Sequence, residues 1–136
     1  MIIFNYETDF KLKNEEKIRI WISSCIIDYG FKEGEINYIF CDDTYLLKLN
    51  TEFLKHNTLT DIISFDYTLG KEISGDIFIS VERVKENASK YSQSIDNELN
   101  RVIIHGVLHY IGFKDKNTED AENMRAQEER CLKKLN

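Results

Sequence analysis

The stretch from Val102 to Lys116, V-I-I-H-G-V-L-H-Y-I-G-F-K-D-K, limits the fold more than any other part of the chain. Leu99, Val102, Ile103, Ile104, Val107, Leu108, Tyr110 and Ile111 surround a helix on nearly every side, so it cannot lie with one face in water. It must be enclosed. A chain of 136 residues hides roughly two thirds of its unfolded surface, enough to wrap such a helix in one domain spanning residues 1–136. Ser94 or Asp96 begins the helix, and Gly112, suited to a left-handed backbone, ends it.

The remaining pattern supplies the wrapping. Ile2 to Phe4 reads as a strand, and Ile18, Trp21, Ile22, Cys25, Ile26 and Tyr29 mark an amphipathic helix between an Asn14 cap and Gly30. Trp21 sits at a core position of that helix, which outweighs a role as a stacking platform for a base. Glu35 to Cys41 alternates as a second strand. Asp42 and Asp43 then cap a helix over Thr44 to Leu54 whose core face is Leu46, Leu47, Leu49, Phe53 and Leu54. Leu59 to Tyr67 and Gly75 to Ser80 read as an antiparallel pair, and Ser80 caps a helix with a buried stripe of Val81, Val84, Ala88 and Tyr91. After the buried helix, Asn117 or Thr118 caps a last one, with Ala121, Met124, Cys131, Leu132 and Leu135 inward. The order predicts an α+β fold: a small mixed four-stranded sheet with about five helices and a central buried helix.

Two histidines interrupt the apolar helix. His105 and His109 are four residues apart and share a face, and Asp115 follows the Gly112 turn that folds the chain back. His105, His109 and Asp115 therefore offer an N, N, O ligand set for one zinc with a fourth position open, the arrangement of a catalytic site. The alternative is that each imidazole bonds a carbonyl or a carboxylate and does nothing else. H-x-x-x-H-x-x-G-x-x-D is also the spacing of metal peptidases, but those carry a glutamate base after the first histidine, and here that residue is Gly106. Glycine there lets another element approach the helix closely.

H-G-V-L-H-Y-I-G-F-K-D resembles the H-G-x-L-H-L-x-G-Y-D-H signature of the YbeY family, bacterial rRNA maturation factors described as metal-dependent single-strand endoribonucleases. Leu49-Asn50, L-T-D-I-I-S-F from Leu59 to Phe65, G-D-I from Gly75 to Ile77, and Met124 with Glu128 follow in that family's order. The resemblance implies a zincin-like fold holding Zn2+, one per chain, at His105, His109 and Asp115, with catalysis through water activated by the metal. It implies ribosomal RNA and the small ribosomal subunit as partners, together with ribosome-assembly proteins. Two positions depart from the pattern. Asp115 replaces the third histidine, and Phe53-Leu54 replaces a Tyr-Arg pair, leaving Lys55 or His56 to stand in for the arginine.

Substrate contacts are expected among Lys55, His56, Ser64, Arg101 and Lys114, with Arg83, Lys85, Lys90 and Lys116 as further cations for the RNA backbone. His56 on position alone is a solvated loop residue, and Asp61, Ser64, Asp66 and Asp76 face either the metal or a sheet edge. The net charge of −6 and pI near 5.1 exclude broad binding of nucleic acid by total charge, though not a local basic cleft. Cys25, Cys41 and Cys131 are isolated, which excludes a disulfide framework and a cysteine zinc site. No apolar run is long enough to span a membrane and no secretory start is present, so the expected compartment is the cytoplasm. Two other functions stay open: a non-catalytic ribosome-assembly factor with a structural metal, and a metallopeptidase.

Overall fold

The computed structural model describes residues 1–135. Four strands, β1 (Ile2–Tyr6), β2 (Lys32–Cys41), β3 (Ile62–Asp66) and β4 (Glu72–Ser80), form one sheet in the order β1-β2-β4-β3. β1, β2 and β4 run parallel and β3 antiparallel to β4, the mixed sheet expected from the sequence. Five helices accompany it: α1 (Glu15–Asp28), α2 (Asp43–Phe53), α3 (Val81–Lys90), α4 (Ile95–Ile111) and α5 (Thr118–Leu135). Among the described residues, no helix is long and apolar enough to cross a membrane.

Ile36, Tyr38 and Phe40 on β2 and Ile73, Ile77 and Ile79 on β4 point to one face, where α1 and α4 close the main core. α4 lies close against this face because Gly106 has no side chain. A Cβ there would come within 2.9 Å of Ile77 Cδ1 and 3.2 Å of Ile62 Cδ1. Gly75 plays the matching part on β4, since a Cβ would come within 2.5 Å of both the Tyr110 hydroxyl and the Phe65 carbonyl oxygen. That hydroxyl reaches the Phe65 and Asp76 carbonyl oxygens at 3.0 and 3.1 Å, and the Tyr38 hydroxyl donates to the Ile103 carbonyl at 2.8 Å. Helix and sheet are thus pinned by hydrogen bonds as well as apolar contact. Trp21 is core, as expected, and its indole N–H donates to the Cys131 carbonyl at 2.8 Å, joining α1 to α5.

The second face carries a smaller cluster of Cys41, Leu46 and Ile63 beneath α2. Here the expected core face was too long. Phe53 and Leu54 are exposed, because α2 buries only Leu46 and Asn50 and its last turn runs past the packing. Asn50 is buried for a reason: its side-chain amide donates to the Thr58 carbonyl at 2.8 Å and holds the loop leading to β3. Tyr91, expected in the α3 stripe, is exposed as the residue that follows the helix, and Ala121 is exposed in the first turn of α5. β3 is shorter than its apolar pattern, and β2 and β4 each begin earlier, where Lys32–Glu72 pairing extends them through an irregular register.

Candidate metal centre

α4 ends where the sequence indicates. Gly112 adopts φ +122°, and Phe113 N–H returns to the Leu108 carbonyl at 3.0 Å, closing the helix and turning the chain back. The turn brings Asp115 to the histidines. His105 Nε2 and His109 Nε2 are 3.0 Å apart, and Asp115 Oδ2 lies 3.2 Å from the first and 3.3 Å from the second. A four-coordinate zinc with bonds of about 2.0–2.1 Å separates its donors by roughly 3.3–3.4 Å. The three residues therefore fit such an ion.

The hydrogen bonding behind the site supports the same reading. Glu128 on α5, buried, sits 2.6 Å from His105 Nδ1, so that nitrogen donates to it and Nε2 turns a lone pair toward His109 and Asp115. With that tautomer the His105 lone pair, the His109 ring nitrogen and the Asp115 carboxylate converge on one point, an arrangement that a cation can bridge. Burial works against a charge on His105, but the hydrogen bond and charge of Glu128, with Asp115 and Asp61, outweigh it and raise its pKa. Arg101, one turn before His105, donates from Nη1 to Glu128 Oε1 at 3.2 Å and from Nη2 to Glu129. A relay of Glu129, Arg101, Glu128 and His105 thus ties α4 to α5 behind the centre.

These groups line a cavity of about 500 Å³ with Thr60, Asp61, Ile62, Ser64, Glu98, Val102 and Arg125. Of the residues expected to touch a substrate, Ser64 faces this space. Arg101 also lines it, but its guanidinium is engaged by two carboxylates and it is only 6% exposed, so it is a structural cation rather than a phosphate clamp. Lys55, His56 and Lys114 are exposed and outside the cavity wall. Arg83 is committed elsewhere, to Asp43 at 2.9 Å. Asp61 lines the cavity with its pKa raised by burial, whereas Asp66 is exposed and Asp76 accepts from Asn37 at 3.1 Å. Glu98 and Arg125 were not singled out by the sequence. Glu98 had a usable signal, since Glu98, Val102, His105 and His109 form one stripe at helical spacing.

A family model described as endoribonuclease YbeY matches residues 3–136. The chain belongs to the endoribonuclease YbeY family. Membership assigns it to the nucleases, which are hydrolases. It is 60% identical to a Flavobacterium johnsoniae protein named endoribonuclease YbeY over 95% of this chain and 93% of that one. A Flavobacterium psychrophilum protein of the same name is 56% identical over 98% and 95%. Among solved structures, the solution structure of TM1509 from Thermotoga maritima superposes with a TM-score of 0.70 at 22% identity, covering 99% of this chain and 89% of that one. That likeness extends the fold to a distant sequence.

Proposed function

We propose that this chain is a zinc-dependent endoribonuclease of single-stranded RNA, acting in the cytoplasm in ribosomal RNA processing and small-subunit maturation. The reading is carried by the convergence of His105 Nε2, His109 Nε2 and Asp115 Oδ2 in the wall of a cavity that can admit a strand. His105, His109 and Asp115 would hold one Zn2+ in a zincin-like centre, leaving a position for substrate. Zinc held there supplies Lewis acidity, polarising a phosphoryl oxygen and making water a better nucleophile near neutral pH. The chain's own groups prepare the site. Glu128 fixes the His105 tautomer by accepting from Nδ1, and Arg101 holds Glu128 in place by donating to its other oxygen. Ile62 and Val102 give the wall its apolar patches, and Ser64 lies in the same wall. Ribosomal RNA, the small subunit and ribosome-assembly proteins are the proposed partners. Single strands fit because splayed bases and phosphates can enter a narrow space.

A second reading is a non-catalytic assembly factor in which the metal only locks α4 to the loop after it. Leu54, 43% exposed where the family's arginine falls, favours it, because it carries no charge and lies outside the cavity wall. Gly106 disfavours the third reading, a metallopeptidase, since it packs on Ile77 and Ile62 and offers no base. One experiment separates the first two: zinc content and cleavage of a ribosomal RNA precursor by wild type, His109→Ala and Asp115→Ala. We expect one zinc per wild-type chain, and cleavage falling to background in both variants while they stay folded. Equal cleavage in all three overturns the enzyme reading. A fall in melting temperature with cleavage retained assigns the metal to structure.

A further inference from the structure

Asp61 and Glu98 are the cavity carboxylates that no side chain pairs among the described residues, and Glu98 is the more buried of the two. Glu128 is satisfied by Arg101 and His105, and Asp115 faces the imidazoles. Glu98 is only 6% exposed, lines the cavity, and has no hydrogen-bond or ion-pair partner among the described residues. Burial raises its pKa, with the charges of Arg101 and Arg125 opposing. Its carboxylate oxygens open onto the cavity, where donors on a ligand can take the place of water.

Its position says what could do so. Glu98 lies seven residues before His105 on the same stripe of α4, which places it roughly 10 Å along the helix axis from the metal centre, about one or two nucleotides away on an extended strand. An ionised carboxylate disfavours phosphate as its direct partner, since two like charges would meet. A nucleobase is not excluded. Guanine presents two adjacent N–H donors, N1 and N2, on its Watson–Crick edge, and these match the two oxygens of one carboxylate. Adenine and cytosine each set a ring acceptor beside their single amino group, and uracil flanks its N–H with two carbonyls, so each brings an acceptor against the carboxylate. Val102, one turn along from Glu98, offers an apolar surface to a base plane, and the cavity is of a size that accommodates one nucleotide.

We infer that Glu98 is a specificity-determining residue, reading a guanine within about two nucleotides of the scissile phosphate through a bidentate hydrogen bond. The inference rests on the endoribonuclease reading for its position relative to the cut, and not for the guanine contact itself. The test uses zinc-loaded wild type and Glu98→Gln on a pool of random-sequence single-stranded RNA, with the new ends sequenced. Wild type should enrich guanine by about tenfold or more at one fixed position. Glu98→Gln should flatten that enrichment, because an amide offers one donor and one acceptor and tolerates every base. Replacing that guanosine by inosine, which lacks the N2 amino group, should weaken wild type severalfold and leave Glu98→Gln unaffected.

A uniform wild-type profile, or equal guanine enrichment in both proteins, overturns the inference. So does a profile that stays flat while added magnesium stimulates wild type alone, which would give Glu98 to a cation. If neither protein cleaves, the endoribonuclease reading fails, and binding decides the present one separately. Fluorescence anisotropy with short guanosine- and inosine-containing oligonucleotides should then show the preference in wild type only. Its absence there refutes the guanine contact. An unchanged circular dichroism spectrum of Glu98→Gln is expected, since the substitution is isosteric, and it marks the loss as local.

Discussion

Two arginines organise two ion-pair clusters, one between α4 and α5 and one between α2 and α3, and they differ in one respect that matters. Arg101 and Glu128 are 7% and 6% exposed at their side chains, and their cluster ends on His105 of the candidate metal centre. Arg83 and Asp43 are 28% and 19% exposed, and their cluster ends on helix starts. Asp43 opens α2 and accepts from Arg83 and from the Ser80 hydroxyl at 2.7 Å, while Ser80 caps α3 by accepting from Arg83 N–H at 3.2 Å. Both clusters join two helices. Only the first does so in a place water barely reaches, so only there does losing one partner strand a charge.

The largest test of this contrast replaces each arginine by leucine. Arg101→Leu should lower unfolding stability by about 3–5 kcal/mol, because Glu128 keeps a buried charge facing only His105. Arg83→Leu should stay within the range of ordinary surface substitutions. Urea melts of the two variants decide it. If they lose the same stability, burial is not what separates the clusters. The double variant Arg101→Leu with Glu128→Leu should recover part of the loss, though not metal binding.

Next in size is the coupling of the first cluster to the metal centre. Glu128→Gln keeps shape and one hydrogen bond but removes the charge that orients His105 and makes it a stronger ligand. Zinc affinity, measured by competition with a chelator, should fall by roughly 10–100-fold. Asp43→Asn should not change it. Equal zinc affinity in wild type and Glu128→Gln would reduce the relay to a helix clamp.

The same contrast explains what the sequence could reveal. Two imidazoles four apart, with Gly112 to turn the chain and Asp115 to follow, are close in sequence, so the site was legible from local geometry. So was the α+β order, since each element has its own period. Arg101 was not: its partners Glu128 and Glu129 lie on α5, 27 and 28 residues away, and spacing alone leaves an arginine beside histidines looking like a phosphate ligand. Phe53 and Leu54 mislead for a related reason. They keep helical spacing to the end of α2, but the sheet beneath covers only the residues around Leu46 and Asn50. Glu98 was legible only through its helical stripe with Val102, His105 and His109, and the cavity is what gives that stripe a meaning.

The smallest effect lies in the exposed cluster, and pH isolates it. The hydrogen bonds from Arg83 hold the Asp43 carboxyl below its ordinary value of 3.8, with burial opposing and Ser80 assisting. A group whose native pKa is depressed stabilises the fold fully above its unfolded value and loses that contribution as pH falls through the native one. The stability gap between wild type and Asp43→Asn should therefore be constant from neutral pH down to about 5, then close as the solution is made more acidic than the ordinary aspartate range. Added salt should shrink the gap at neutral pH, as it does for charges that solvent can reach. A gap that widens in acid would reverse the sign assigned to Asp43. A gap at neutral pH as large as that of Arg101→Leu would erase the distinction between the two clusters, because an ion pair in reach of water would then be doing the work of a buried one.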